Sequence, residues 1–227
     1  MEIKDNLSLK TPVKKEITSF RAKLLKWHRN NKRYYPWRGT QDPFRVLIAE
    51  MMLRRTKADQ VKRVYERLFN EYPDIQSLSK ADNKKLEDIL GSLGLRWRLP
   101  SFGLVAREIM EQYGSKVPDS RSEIKKLTGV GDYVAGAVLS IAYHKKEWMV
   151  DSNVVRVLKR YFGIITSKEG RRKKEIIEIS KIYVSCKDPR EANLAILDFA
   201  AIICKPRHPL CPKCPLRKAC HSFSGQF

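Results

Sequence analysis

The chain has 227 residues, of which 42% are hydrophobic and 31% are charged, with only 11 glycines and 11 prolines; this composition excludes disordered, fibrous and membrane-embedded proteins. Lys and Arg total 46 against 25 Asp and Glu, so the formal net charge is +21. Such an excess favours a polyanionic partner, chiefly nucleic acid and less often an anionic membrane surface, without separating a binder from an enzyme.

The N-terminal segment MEIKDNLSLKTPVKKE has no apolar core of a secretion signal, and no run of about 18 apolar residues follows, so we expect a soluble intracellular protein. Helical periodicity dominates the rest, and strand patterns are nearly absent. Gly and Pro positions leave pieces of about 8 to 18 residues, which predicts an all-α fold. Three apolar stripes predict core-facing helices: Ile17, Phe20, Leu24, Leu25 and Trp27 with His28; Val61, Val64, Tyr65 and Leu68; and Leu78, Leu86, Ile89 and Leu90.

Glu50 interrupts the apolar segment VLIAEMML at residues 46–53. Burial there would disfavour the ionised carboxylate and raise its pKa, which suits a proton donor. The alternative is that Glu50 forms a structural ion pair with Arg54, one helical turn further on.

Residues 123–142, EIKKLTGVGDYVAGAVLSIA, predict a helical hairpin. A short helix ends at Leu127, a Gly-Val-Gly turn follows at residues 129–131, and a second helix begins near Asp132. The glycines permit positive φ and let the backbone approach a ligand, and the N–H groups at the next helix start attract an anion. A DNA phosphate is the natural anion for so basic a chain, although tight turns also use glycine for steric reasons alone.

Asp151 opens a further predicted helix, in which Val154, Val157 and Leu158 share one face. Taken alone, an Asp at this place is more often an N-cap than a catalytic acid.

Four cysteines lie within the last 24 residues in a C-x6-C-x2-C-x5-C run: Cys204, Cys211, Cys214 and Cys220. Disulfides fit poorly with a chain that lacks a secretion signal, so metal or cluster ligation is favoured. Zinc sites usually show two close pairs of cysteines, whereas this run has one pair flanked by singles. Four thiolates on a short loop suit a [4Fe–4S] cluster.

Together, the glycine hairpin, the Asp about 20 residues later and the cysteine run resemble the helix-hairpin-helix DNA glycosylases with an iron–sulfur cluster, the endonuclease III and MutY group. The resemblance covers roughly residues 30 to 221 and includes PWR at 36–38 and DPFRVLIAEMMLRRT at 42–56. It implies a two-lobed, all-α fold with a six-helix barrel domain at residues 41–146. It also implies a cluster domain formed by residues 1–40 with 147–227.

The resemblance also implies the roles of individual residues. Asp151 takes the place of the essential carboxylate and Glu50 that of a second functional carboxylate, while the four cysteines take the places of cluster ligands. Such enzymes extrude a nucleotide and fill the gap, for which the loop LRWRL at residues 95–99 is a candidate; packing of Trp97 in the structure is the alternative. The predicted DNA-binding residues are Gly129, Val130, Gly131, Arg54, Arg55, Trp97 and Arg98.

Tyr133 is the informative departure within the group. Bifunctional endonuclease III-type enzymes carry a nucleophilic Lys at this place, and a phenol cannot form an imine. With Leu-Arg-Arg-Thr at 53–56, Tyr133 resembles the archaeal thymine-DNA mismatch glycosylases, although it could also be an aromatic packing residue. The resemblance therefore implies a monofunctional glycosylase that acts on thymine or uracil opposite guanine.

Two other functions stay open. One is a MutY-like adenine glycosylase, which the end of the chain seven residues after Cys220 disfavours, since such enzymes usually add a long C-terminal domain. The other is a non-catalytic helix-hairpin-helix DNA-binding protein, which has no need of Asp151 and Glu50. We expect double-stranded DNA that contains a mispaired or damaged base as the partner, no membrane, a monomer, and a cytoplasmic, nucleoid-associated protein of a prokaryotic host.

Overall fold

A computed structural model describes residues 11–94, 96–165 and 170–224. Within these ranges every regular element is a helix, which confirms the predicted all-α fold. None of the described helices is long and apolar enough to cross a membrane. The α-helices, in chain order, are α1 (Thr11–His28), α2 (Pro36–Gly39), α3 (Pro43–Met52), α4 (Ala58–Glu71), α5 (Ile75–Ser79), α6 (Asn83–Leu90), α7 (Leu99–Tyr113), α8 (Arg121–Ile124), α9 (Asp132–Ile141), α10 (Ser152–Phe162), α11 (Lys174–Val184), α12 (Pro189–Ile202) and α13 (His221–Ser224). Short 3-10 turns lie at Gly91–Leu93, Arg96–Arg98, Gly170–Arg172, Cys211–Lys213 and Arg217–Ala219.

The chain divides into two compact units. The first unit consists of Met1–Lys32 with Val150–Phe227, and the second consists of Arg33–Met149. The functional domains implied by the sequence, 1–40 with 147–227 and 41–146, stay a prediction.

In the first unit, α1 packs against α11 and α12, and α12 also packs against α10. The Phe20 ring lies 4.7 Å from that of Tyr161, between ring centroids. His28, from the predicted stripe, is buried, and its Nδ1 and Nε2 lie 2.9 Å from carboxylate oxygens of Glu191 and Asp198, respectively. A buried polar ring is thus held by two partners on α12 instead of by apolar packing alone.

The second unit is built around α3, which packs against α9. The side chain of Asp42 caps α3 by accepting the N–H groups of Phe44 at 2.9 Å and Arg45 at 3.4 Å. From Val46 to Met52 every residue is buried, so α3 is an interior helix with little amphipathic character. The predicted second and third stripes lie on α4, α5 and α6, and their residues are buried.

The guanidinium of Arg121 joins three segments of the second unit. It donates to a Glu147 carboxylate oxygen at 2.8 and 2.7 Å and to the backbone carbonyls of Asp132 and Trp148, each at 2.8 Å. It also lies 4.0 Å from the centroid of the Trp148 ring. The start of α8, the start of α9 and the segment that follows α9 are therefore tied by one side chain.

Gly136 allows this arrangement, because a Cβ at that position would lie 2.0 Å from the Trp148 carbonyl oxygen and 2.9 Å from Nη2 of Arg121. We expect Gly136→Ala to lower the free energy of unfolding by about 1–3 kcal/mol, the usual cost of overpacking. For a chain of this size that corresponds to a loss of roughly 2–4 °C in melting temperature per kcal/mol. Gly39→Ala is the matched control, because nothing lies within 4 Å of its Cβ position. Equal melting temperatures for the two variants would contradict the steric argument.

Candidate functional site

Asp151 is the N-cap of α10 and the best-defined part of the site in the first unit. Its Oδ1 accepts the backbone N–H groups of Asn153 at 2.9 Å and Val154 at 2.8 Å, and its Oδ2 accepts the Asn153 side-chain amide at 2.6 Å. The N-cap interpretation of Asp151 is therefore confirmed. Three donors fix the orientation of the carboxylate, and a carboxylate has about four acceptor positions, so Oδ2 keeps one for a further donor such as water.

A chain of hydrogen bonds runs from Asp151 to Cys204 through two residues that the sequence analysis missed, Asn153 and Arg156. Asn153 Oδ1 accepts Nη1 of Arg156 at 2.9 Å. Arg156 Nε then donates to the Cys204 carbonyl and Nη2 to the Ala200 carbonyl, both at 2.9 Å. The available signal was the spacing of Asn and Arg after the capping Asp, which places both in the first two turns of α10.

The four predicted cluster cysteines all carry free thiols of intermediate exposure. Burial, together with the negative charges of the other three cysteines, raises the pKa of the Cys214 thiol to about 11, although the hydrogen bond from the Leu216 N–H acts in the opposite direction. Burial also raises the pKa of Cys220. Arg160, on α10, is near two of the four: its Nη1 lies 3.5 Å from Cys204 Sγ, and its carbonyl accepts Cys220 Sγ at 3.4 Å.

The donor set fits a cluster chemically. Four thiolates whose charges repel one another need a positive centre among them, and cysteine thiolates are the usual ligands of iron–sulfur clusters. Across residues 11–94, 96–165 and 170–224, no group of three or more His, Cys, Asp or Glu is placed to hold a single metal ion. Ligation of a cluster by these cysteines stays a prediction.

The hairpin of the second unit differs in detail from the predicted one. Its first helix, α8, ends at Ile124 instead of Leu127, while α9 begins at Asp132 as predicted. Gly129 has a φ of +78°, whereas Gly131, the N-cap of α9, has a φ of −114° and does not use the left-handed region. Glu108 fixes the turn by accepting the backbone N–H of Thr128 at 2.7 Å and its hydroxyl at 2.5 Å.

Two of the predicted DNA-binding arginines are exposed, and the side chain of the first, Arg54, contacts this turn. Arg54 donates from Nη1 to the Gly129 carbonyl at 2.6 Å. Arg55 has a φ of +61°, an unfavourable conformation for a residue with a Cβ. The guanidinium of Arg54, with Arg55 next to it in the chain, therefore forms a positively charged border of the hairpin turn.

Arg98 and Trp97 have different surroundings. The Arg98 side chain is only 8% exposed and donates to the Met51 carbonyl at 3.3 Å. Burial, followed by the charges of Arg54 and Arg55, lowers its pKa. Its location does not favour the predicted contact with DNA. Trp97 is 69% exposed, which fits the predicted filling of a gap in DNA better than packing inside the protein. Leu95, in the same predicted loop, lies outside the described residues.

Glu50 and Tyr133 belong to the second unit. Glu50 lies on the buried helix α3 and is 3% exposed, as its apolar neighbours predicted. Tyr133 is half-buried in the first turn of α9, and Val130 is half-buried in the turn before it. The catalytic roles of Asp151, Glu50 and Tyr133 stay predictions.

Comparison with known proteins gives consistent matches. Residues 48–183 match the family described as HhH-GPD superfamily base excision DNA repair protein. A thymine/uracil-DNA glycosylase of Methanothermobacter thermautotrophicus is 37% identical over 90% of this chain and 93% of its own. An adenine DNA glycosylase of Rattus norvegicus is 31% identical over 96% of this chain but only 46% of its own.

Solved structures agree with these matches. A thermostable thymine-DNA glycosylase has a TM-score of 0.88 at 36% identity, covering 93% of this chain and 98% of its own. A trapped endonuclease III–DNA covalent intermediate has a TM-score of 0.79 at 25% identity, covering 94% of this chain and 98% of its own.

The cap at Asp151 gives a prediction for stability that is separate from any chemistry. We expect Asp151→Ala to lower the free energy of unfolding by about 0.5–2 kcal/mol, and Asp151→Asn to lower it less, because Asn is also a good N-cap. Denaturant unfolding measures both. Asp188→Ala, which removes the cap that accepts the Glu191 N–H of α12 at 2.8 Å, is the matched control and should cost a similar amount. An Asp151→Ala variant as stable as the wild type would show that the cap contributes nothing.

Proposed function

Because the chain belongs to the HhH-GPD superfamily of base excision DNA repair proteins, we propose that it is a monofunctional DNA glycosylase that removes thymine or uracil mispaired with guanine in double-stranded DNA. The observation that carries this proposal is the similarity to thymine-DNA glycosylases over about nine tenths of both chains. DNA is also the partner in two of the similar structures, both of endonuclease III.

The base must leave the duplex before its glycosidic bond can be reached. A wobble pair of thymine or uracil with guanine costs less to open than a matched pair, so extrusion contributes to selectivity. The exposed ring of Trp97 would occupy the gap, and the positively charged border of the hairpin turn would hold phosphates.

Asp151 would act on the sugar. Cleavage of the N-glycosidic bond develops positive charge on the sugar, which a carboxylate stabilises. The acceptor position left on Oδ2 can orient a water molecule, while the bonds from Asn153 and Val154 prevent rotation of the carboxylate. The geometry of α10 thus supports the proposed role because capping and catalysis use different acceptor positions.

Glu50 would act at the leaving base, and Tyr133 would lie beside the sugar. Glu50, with little access to water, would donate a proton or a hydrogen bond to the leaving base. Tyr133 stands where the resemblance places the Lys of bifunctional enzymes, and its phenol cannot condense with the sugar aldehyde. Base removal should therefore leave an intact abasic strand.

We propose, in addition, that Cys204, Cys211, Cys214 and Cys220 hold one [4Fe–4S] cluster. When bound, the cluster would supply the positive centre that the four thiolates require and would hold the C-terminal loop together. Arg160 supports this role, since its positively charged side chain donates from Nη1 to Cys204 Sγ at 3.5 Å, a contact that a negatively charged sulfur would strengthen.

The proposed activity is tested with single-turnover assays on T·G, U·G, T·A, A·G and adenine opposite oxidised guanine, each quenched with and without alkali. We expect pyrimidine release from T·G and U·G, little from T·A, and strand breaks only after alkali. Asp151→Asn should lose at least 100-fold in rate while binding the duplex at least as tightly, because one negative charge near phosphates is removed.

Other outcomes of that assay are equally definite. Faster release of adenine than of pyrimidine would favour the adenine glycosylase alternative. Tight binding with no base release from any duplex would favour the non-catalytic protein. Strand breaks without alkali would contradict the monofunctional assignment.

The cluster is tested by metal and sulfide analysis of protein purified without oxygen. We expect about four iron atoms and four sulfides per chain and a broad absorption band at roughly 400 nm. Replacing the half-buried Cys186, which is outside the run, with Ser is the control and should leave the iron content unchanged. Stoichiometric zinc without iron would contradict the proposal.

A further inference from the structure

We propose that a groove along α10 binds the phosphate backbone of DNA beside the target nucleotide. This inference rests on the proposed function, since it places DNA at Asp151. The α10 groove has a volume of about 670 Å³ and lies within the first unit. Along the helix it is lined by Ser152, Val155, Arg156, Lys159, Arg160 and Gly163.

The spacing of these six residues shows the shape of the groove. They follow one another at alternating intervals of three and one residues, so that alternate members are four residues apart, and this spacing places them in a single stripe along the helix. The stripe extends from the first residue of α10 to the residue after its end, a length of about 16 Å at 1.5 Å per residue. The other side includes His221, whose ring packs so closely on Gly163 that a Cβ there would lie 2.6 Å from it.

The charge of the groove is positive. No Asp or Glu is found among the described residues that line it, while four residues with permanently charged side chains are: Arg156, Lys159, Arg160 and Arg171. Arg156 and Arg160 donate mainly to backbone carbonyls, which orient the guanidinium groups without neutralising them. The groove therefore presents two positively charged guanidinium groups in fixed positions to a polyanion.

Lys159 and Arg171 are the cations most available to a ligand. Both are exposed, and among the described residues neither forms an ion pair. Lys159 lies one helical turn from Arg156, and Arg171 lies on the side of the groove formed by the 3-10 turn after α10. A phosphate between them would receive charged donors from two directions.

The position of the groove favours DNA backbone over other anions. Its first lining residue, Ser152, directly follows Asp151, the carboxylate proposed to act on the sugar. A sugar in a DNA strand has a phosphate on each side, and one strand carries a phosphate every 3.4 Å or so of helix axis. A basic groove about 16 Å long that starts next to Asp151 can therefore contact more than one phosphate of the same strand.

The first test is the salt dependence of binding to a T·G duplex, measured by fluorescence anisotropy with the full chain. Lys159→Gln combined with Arg171→Gln should weaken binding roughly tenfold at moderate salt and reduce the slope of log K against log salt by about 1 to 2. Lys23→Gln combined with Lys187→Gln is the matched control, because both lysines are exposed, belong to the same unit and lie outside the groove. Equal slopes for the two double variants would overturn the proposal, since net charge alone would then explain the loss.

The second test locates the contact. Single phosphates of the strand with the target base are replaced in turn by neutral methylphosphonates. We expect one or two positions within a few nucleotides of the target to weaken binding of the wild type at least threefold, and to have no effect on the groove variant. If every position affects both proteins equally, the groove does not contact that strand.

These results are separable from those of the activity assay. If the wild type releases the base and the groove variant has the same slope of log K against log salt as the wild type, only the proposed role of the groove is overturned. Lack of base release, with phosphate effects that disappear in the groove variant, would overturn the proposed activity and leave the groove as a DNA contact. Competition by an acidic peptide for the groove, with unchanged DNA binding in the groove variant, would assign it to a protein partner and overturn the proposal.

Discussion

The first turn of α10 is the interaction on which the rest of the candidate site in the first unit depends. The Asp151 carboxylate satisfies backbone N–H groups that would otherwise lack partners at the helix start, and this fixes the direction in which α10 begins. The same helix then brings Arg156 and Arg160 to the segment of the cysteine run that starts at Cys204. The cap that stabilises the start of α10 therefore also determines where the Asp151 carboxylate and the two arginines lie.

The hydrogen-bond chain from Asp151 to Cys204 connects the cysteine run to the carboxylate proposed to act on the sugar, and this connection requires no redox role. Each link is a direct bond between a side chain and a neighbour, through Asn153 and Arg156. Burial lowers the pKa of Arg156, yet a guanidinium remains protonated at physiological pH. A change in the loop that carries Cys204 can thus alter the orientation of the Asp151 carboxylate. The effect would pass through the positions and charges of the hydrogen-bonded groups.

Local patterns predicted a large part of this molecule. The apolar stripes gave the buried faces of α1, α4 and α6, and the Gly-Val-Gly turn gave the start of α9, because both depend on residues close in the chain. The hydrogen bonds by which Arg121 joins three segments could not be predicted, since its partner Glu147 is 26 residues away in the chain. The burial of Arg98 was missed for the same reason: its acceptor is a carbonyl on a helix 47 residues earlier.

The backbone at Arg55 shows a compromise between folding and binding. A left-handed conformation costs a residue with a Cβ about 1 kcal/mol or more, and a glycine would adopt it freely. A glycine at this position would nevertheless remove a cation from the border of the hairpin turn. Selection for thermal stability alone would favour glycine here, whereas the proposed contact with DNA requires a cation, so the backbone strain at Arg55 is the cost that this proposed role would carry.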